Sequence, residues 1–355
     1  MNASAAEEDE WNETYSQSVN HFITFLQCIM IPLSLMGNFA TITAFCKVRT
    51  ICDKPSDIFI LSLACADFGV GFLLILSVPI HAIGFWPWGK LMCKVYVCFG
   101  STFVISVLLT TLVISVDRFI LIAFEYPKYV AFQSRKRVVF TIASLWIYAF
   151  AMTTTEWIVW DIVELPETMT PFDYGRECHS PPKHTLYYST VGFTIGFFIP
   201  LISVEVLSAI FVYQLRRKLK RHAQVRNSNQ PRRDIIRDAW QNIPRPLPPL
   251  AIPARNNNHP EDKLYVKAAI SLAALVLTLN ICFLPFISYS LYVSLMCQAC
   301  NNGRIRDTLS IVFVNFHACI NPLLYAVTMR KIRHFYRMVL CRNMRMVCMQ
   351  YCPCR

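Results

Sequence analysis

Seven long apolar stretches, separated by shorter polar connections, dominate the pattern of this chain. They are Phe22–Cys46, Ile58–Phe85, Val95–Val116, Val138–Thr155, Thr185–Leu215, Ala268–Gln298 and Thr308–Met329. Asp67 in the second and Glu205 in the fifth are the acidic side chains inside them, and no Lys or Arg interrupts any of the seven. A hydrocarbon core about 30 Å thick takes about 20 apolar helical residues to cross. A backbone in lipid must also satisfy its own polar groups, so each stretch predicts a transmembrane helix. Pro32, Pro79, Pro200, Pro285 and Pro322 inside these spans predict kinks, which neighbouring helices in a packed bundle can repair. The predicted fold is all-α: a seven-helix membrane bundle over residues 21–329, preceded by a polar segment (1–20) and followed by a polar tail (330–355).

Composition supports the pattern. Of 355 residues, 55% are hydrophobic and 16% charged, against roughly 25% charged in a soluble domain. A soluble enzyme, a secreted disulfide scaffold and a disordered protein are all excluded on these grounds. Fifteen cysteines are scattered through the apolar runs without framework spacing, and free Cys behaves as a small hydrophobe. There is no Gly-rich phosphate loop, no HExxH, no His/Cys metal spacing and no nucleophile–base set. No enzyme activity and no cofactor or metal are expected.

The net charge of +12 is a topology signal. Lys90, Lys94, Arg176, Lys183, Arg304 and Arg306 are the basic residues in the amino-terminal segment and its three same-side loops; the other 28 of 34 fall in the alternate connections. By the positive-inside rule the amino terminus is outside and the tail cytoplasmic. The outer side also carries the acidic run Glu7, Glu8, Asp9, Glu10 and Glu13, and no basic n-region of a cleavable signal precedes the first span. Asn2 and Asn12 head glycosylation sequons on that side. The longest connection, about 216–263, is cytoplasmic. It opens on Arg216-Arg217-Lys218-Leu219-Lys220-Arg221 and passes through the Pro-rich Pro244–Pro253, so it is expected to be mobile. The basic surplus offers a surface to anionic lipid and a cytoplasmic partner, not to nucleic acid.

The polar residues within the spans then discriminate. Asn38 follows Gly37 in span one, and Asp67 closes Leu63-Ala64-Cys65-Ala66-Asp67 in span two. Asp117-Arg118-Phe119 ends span three, Trp146 sits in span four and Pro200 in span five. Cys282-Phe283-Leu284-Pro285 lies in span six and Asn321-Pro322-Leu323-Leu324-Tyr325 in span seven. In this order, over roughly residues 20–340, the set resembles the rhodopsin-like (class A) G-protein-coupled receptors. Single motifs are weak signals; the ordered set is specific.

That resemblance implies a multi-pass plasma-membrane receptor that transduces an extracellular small-molecule signal to a heterotrimeric G protein, with arrestin and a receptor kinase as further partners. Phe283, Pro285, Asn321, Pro322 and Tyr325 would form the activation switch. Arg118, held at rest by Asp117, would be released toward the G protein, although an ordinary boundary ion pair would look the same. The family's acidic partner at the base of span six falls here at Tyr265, with Glu261 and Asp262 a turn earlier, and the supporting tyrosine of span five falls at Ser208. A weak resting lock and raised basal activity are expected. Asn38 and Asn321 are the expected partners of Asp67, which as a membrane-buried acid needs them; a polar knot that only packs helices is the plainer alternative. In the family this cavity often binds sodium, but two supporting positions are Val107 and His317, which counts against it here. The resemblance also implies a Cys93–Cys178 disulfide, and Cys297–Cys300 in the third outer loop forms a second candidate pair. Ile332-Arg333-His334-Phe335-Tyr336-Arg337 resembles the family's short amphipathic helix. Cys341, Cys348, Cys352 and Cys354 after it are palmitoylation candidates, with zinc as a less attractive reading.

Trp86-Pro87-Trp88-Gly89 before Cys93, the Asp-Arg-Phe triplet and the Cys297/Cys300 pair look most like the biogenic amine branch, muscarinic and histamine receptors being nearest in pattern. That branch's amine counter-ion, seven residues after the cysteine opening span three, is here Gly100. A buried cation without an acid is disfavoured, so small monoamines are not expected to bind in the branch's way. Glu156, Asp161, Glu164 and Glu177 could substitute, and Trp157, Trp160, Tyr187 and Tyr289 could offer cation–π faces, although interfacial packing explains them equally. The candidate ligand pocket is lined by Gly100, Phe283, Phe286 and Asn315. An opsin-like protein would need a Schiff-base lysine where Asn315 stands; a non-photosensitive opsin relative, a peptide or lipid receptor and a ligand-independent receptor remain as alternatives. Glu205 could be functional, helix-paired, or near enough to the cytoplasmic end to snorkel.

Overall fold

The computed structural model describes residues 3–48, 51, 53–124, 126–162, 178, 194–241, 260–296 and 303–339, and among these it is helical with no strand. The helices are Ala3–Lys47, Ile58–Ala82, Gly89–Ala123, Arg135–Ile162, Ile199–Gln241, Pro260–Met296 and Gly303–Thr328, numbered below as spans one to seven, with a short helix Tyr126–Phe132 between spans three and four. Six are long and apolar enough to cross a membrane alone. The seventh qualifies over Val312–Thr328 together with a final helix, Arg330–Val339, bent from it by 107°. The chain thus forms the all-α seven-transmembrane bundle that its hydropathy predicts.

Span three is the central post, packing on spans two, four, five and six, while span seven closes the ring against spans one, two and six. The core runs through Leu63, Leu108, Leu121, Phe211, Leu272, Leu279 and Phe283, all nearly or fully buried. The opposite faces carry exposed Phe25, Leu33, Met36, Phe39, Phe140, Ile147 and Leu277. In water such a surface would be an aggregation liability; in lipid it is the ordinary outer surface of a bundle.

Local chemistry explains the irregularities. Pro200 lacks an amide hydrogen and its ring crowds the carbonyl four residues back; the chain answers with a π-helical turn at Thr194–Phe198 before the regular helix begins. Between spans two and three, Gly84 (φ 77°) and Gly89 (φ 71°) take left-handed backbone, a region that glycine enters without a Cβ clash. These turns let Trp86 tuck inward, its Nε1 donating to the Gly89 carbonyl at 2.9 Å and its ring 5.3 Å from that of Tyr96.

The expected mobile connection from Arg216 is corrected over its first part. Span five continues as one helix to Gln241, and span six starts at Pro260. Arg, Lys and Leu are good helix formers, Leu215 and Leu219 still pack on the core, and proline is well suited to a first helical position. The Pro-rich stretch falls outside the described residues. So do Asn2, Cys297–Cys300 and Cys341, while for Asn12 the backbone is helical and the side chain is not described.

Candidate functional site

The centre of the bundle holds a polar cluster where spans one, two and seven meet. Asp67 is 1% exposed. Asn321 Nδ2 donates to its Oδ2 at 2.7 Å, and His317 Nδ1 lies 3.5 Å from its Oδ1. Asn321 and His317 stand four residues apart, so one helical face presents both, and their nitrogens are 3.3 Å from each other. The expectation for Asn38 is corrected. Its amide donates to the carbonyls of Ser34 and Ala318, each at 2.9 Å, and so ties span one to the backbone of span seven rather than to the carboxylate. Ser34 Oγ reaches the backbone carbonyl of Asp67 at 3.0 Å.

This packing needs small residues. A Cβ added to Gly37 would stand 2.7 Å from Pro322 Cγ, and one on Gly71 would stand 2.7 Å from Ser34 Oγ. The Gly37-Asn38 pair and the kink at Pro322 are therefore one contact seen from two helices.

His317 is the residue of this cluster that sequence reasoning undervalued, since it registered only as an altered position. Besides facing Asp67, its ring meets Phe283 of span six edge to face, with centroids 5.4 Å apart at 83°. Phe283 is 1% exposed, and Phe286 one turn on packs edge to face on Phe197 of span five at 5.9 Å. The aromatic residue above and the carboxylate below are thus joined through one imidazole. Hard cations prefer oxygen donors. Here Asn321 and His317 both bring nitrogen to the carboxylate, and Val107 of span three is a buried apolar residue. This nitrogen-rich donor set fits a sodium ion poorly.

The second locus lies at the basic end. Asp117 is 4% exposed, and Arg118 Nη1 lies 3.5 Å from its Oδ2. Tyr129 of the short helix donates to both carboxylate oxygens at 3.1 and 3.2 Å, and Gln133 donates to Oδ1. Burial and the adjoining carboxylate push the Tyr129 phenol above the usual tyrosine range, so it stays protonated and remains a donor. Asp117 is therefore well supplied, whereas Arg118 has its own neighbour and, among the described residues, no partner for its buried Nε.

Among the described residues, no hydrogen bond or ion pair joins the base of span six to Arg118. Tyr265 is fully buried and accepts from Lys218 Nζ at 3.1 Å, the same ammonium lying 4.2 Å from its ring centroid. Asp262 pairs with His222 of span five at 2.7 Å, and the side chain of Glu261 lies outside the described residues. Tyr325 is 1% exposed, and its hydroxyl has no partner among the described residues.

At the opposite end Cys93 is joined to Cys178, with Cα atoms 5.4 Å apart. This ties the segment around Cys178 to the start of span three. Cys28, Cys46 and Cys65 are free and exposed, and Cys98, Cys282 and Cys319 are free and buried. A Cβ on Gly100 would meet one atom within 4 Å, Leu73 Cδ1 at 3.8 Å, so span three leaves room where an amine receptor would carry its acid. One polar tie was not anticipated in sequence: Trp146 Nε1 donates to Ser62 Oγ at 3.0 Å. Of the readings open for Glu205, the structure shows helix pairing, with Asn280 Nδ2 donating to its Oε1 at 2.6 Å.

A seven-helix membrane bundle with a buried carboxylate knot, an aromatic residue above it and an Asp-Arg pair at the basic end is the arrangement that the family comparison then places. The pattern of the 7 transmembrane receptors (rhodopsin family) matches residues 37–325, and the chain belongs to that family. It is 23% identical to Dopamine receptor 1 of Drosophila melanogaster over 320 residues, covering 88% of this chain and 61% of that protein. It is 24% identical to human Melanopsin over 209 residues (58% and 42%). It is also 26% identical to Protein trapped in endoderm-1 of Drosophila melanogaster over 213 residues (58% and 52%). The chain spans 42–61% of the length of these curated relatives.

Proposed function

We propose that this chain is a G-protein-coupled receptor of the plasma membrane, with its amino terminus outside and Arg118 facing the cytoplasm. The observation that carries the reading is the continuous contact from Phe283 through His317 to Asp67 and Asn321. A ligand pressing on span six from the outer pocket changes the Phe283–His317 contact. Span six then swings about Pro285, and a cleft opens beside Arg118 for a heterotrimeric G protein. The ligand must bind the open state more tightly than the resting one. Arrestin and a receptor kinase would follow at the same face, and anionic lipid would meet its basic rim.

The outer pocket, at Gly100, Phe283, Phe286 and Asn315, is amine-receptor-like without the amine ion pair. An acidic outer face would draw cations toward it, yet Gly100 offers no buried charge to hold one. A kinship to opsins in sequence does not bring retinal chemistry, since Asn315 cannot form a Schiff base. A second reading, signalling without a ligand, is favoured by the base of spans five and six. Tyr265 is engaged by Lys218 and Asp262 by His222, so the described residues of span six add nothing to the Asp117–Arg118 pair and the lock between spans three and six is weak.

Nucleotide exchange on a panel of G proteins, using the full chain in nanodiscs with and without amine, peptide and lipid ligands, tests both readings. Basal exchange above empty nanodiscs, abolished by Arg118→Ala, is expected. Exchange equal to empty nanodiscs with every G protein and every ligand would overturn the receptor reading. A high baseline that no ligand changes would favour the ligand-independent form.

A further inference from the structure

Glu205 is the second acid inside the apolar spans, and the switch just described makes no use of it. It is half-buried on span five, five residues past Pro200. Its Oε1 accepts a hydrogen bond from Asn280 Nδ2 of span six at 2.6 Å. The same amide nitrogen donates to the Val276 carbonyl of its own helix at 2.9 Å, which locks the Asn280 side chain in place with one hydrogen aimed at span five. An acidic side chain at membrane depth is costly without a partner, and Asn280 supplies one by donating to its oxygen. A snorkelling Glu205 would turn toward the headgroups; here it turns toward span six.

The position of the bond along span six matters more than its strength. Asn280 stands one turn before Phe283 and five residues before Pro285, in the half of the helix that carries the basic end outward. Lys218–Tyr265 and His222–Asp262 also link spans five and six, but along span six they lie about four to five turns nearer the basic end. Glu205–Asn280 is the tie close to the hinge. An outward swing of span six must break it or pull span five along.

We propose that Glu205 is a positioning residue whose bond to Asn280 holds span six against span five in the resting bundle and so sets the fraction of receptors that are open without ligand. The proposal rests on the swing of span six inferred above. A tie present in one state alone shifts the equilibrium by its own worth. Hydrogen bonds between membrane helices are worth, on average, about a threefold change in such a ratio.

The test uses the full chain in nanodiscs, as wild type, Glu205→Gln, Glu205→Leu, Asn280→Leu and the double Leu variant. Deuterium uptake of the backbone over residues 262–280 is read alongside basal nucleotide exchange. Both Leu variants are expected to speed uptake in that segment and to raise basal exchange about threefold, with the double variant no further changed than either single. Glu205→Gln keeps an oxygen acceptor and is expected to match wild type. Unchanged uptake in Glu205→Leu and Asn280→Leu, additive effects in the double variant, or a Glu205→Gln that behaves like Glu205→Leu would each overturn the proposal. If uptake responds as expected while neither wild type nor any variant drives exchange, the tie stands and the G-protein reading falls.

Discussion

Two acids sit within the apolar stretches of this bundle, Asp67 and Glu205, and they are held in opposite ways. Asp67 is almost wholly buried, faces two nitrogens from one turn of span seven, and lies where spans one, two and seven are drawn together by Gly37, Gly71 and Asn38. Glu205 is half-buried and bonded to one amide on span six. A fully enclosed acid with two partners cannot be released without stranding donors in an apolar interior, whereas an acid at the lipid margin with one partner can exchange it at small cost. The first arrangement suits a fixed post and the second a catch. The contrast places the rigid part of the molecule on the one-two-seven side and the movable part on the five-six side.

Removing the post should produce the largest effect. Asp67→Leu leaves Asn321 and His317 facing methyl groups and is expected to cost about 3–5 kcal/mol, seen as a large fall in thermal unfolding temperature in nanodiscs. Asn321→Ala takes away the 2.7 Å donor and is expected to cost about 1.5–3 kcal/mol. An equal loss from Asn280→Ala would break the comparison, since the same amide would then be worth as much at the margin as at the centre. His317→Asn keeps a nitrogen donor near Asp67 but removes the ring against Phe283. A stability change within about 1 kcal/mol is expected, with a larger change in ligand-free exchange, so its two readouts should separate. Glu205→Gln should alter neither stability nor exchange measurably, since it keeps an oxygen for Asn280 to donate to, and a change as large as that of Glu205→Leu would overturn the catch.

Much of this was legible in the sequence. The seven spans follow from length and hydropathy, which the bilayer imposes, and the ordered motifs locate Asp67, Arg118, Phe283 and Asn321 without coordinates. Helix ends were less legible, because apolarity stops at the membrane surface while helix propensity does not; span five therefore runs on to Gln241. Partnerships across helices were least legible. Asn38 was expected to serve Asp67 and instead serves the Ala318 carbonyl, because a close approach at Gly37 brings it to the backbone of span seven. His317 and the Glu205–Asn280 tie depend on rotation and relative depth of helices, which no spacing within one span encodes.

The final helix adds a consequence of its own. It leaves span seven at 107°, and its Tyr336 hydroxyl comes 2.5 Å from Thr41 Oγ1 and donates to the Gly37 carbonyl at 3.2 Å. Gly37 is also the residue on which Pro322 rests. A pull on this helix, from a lipid anchor or a thickening bilayer, would therefore load the seam between the first and last spans before any other. The final helix is thus fastened to the same glycine against which Pro322 packs, so its direction and the line of span seven are set at one point.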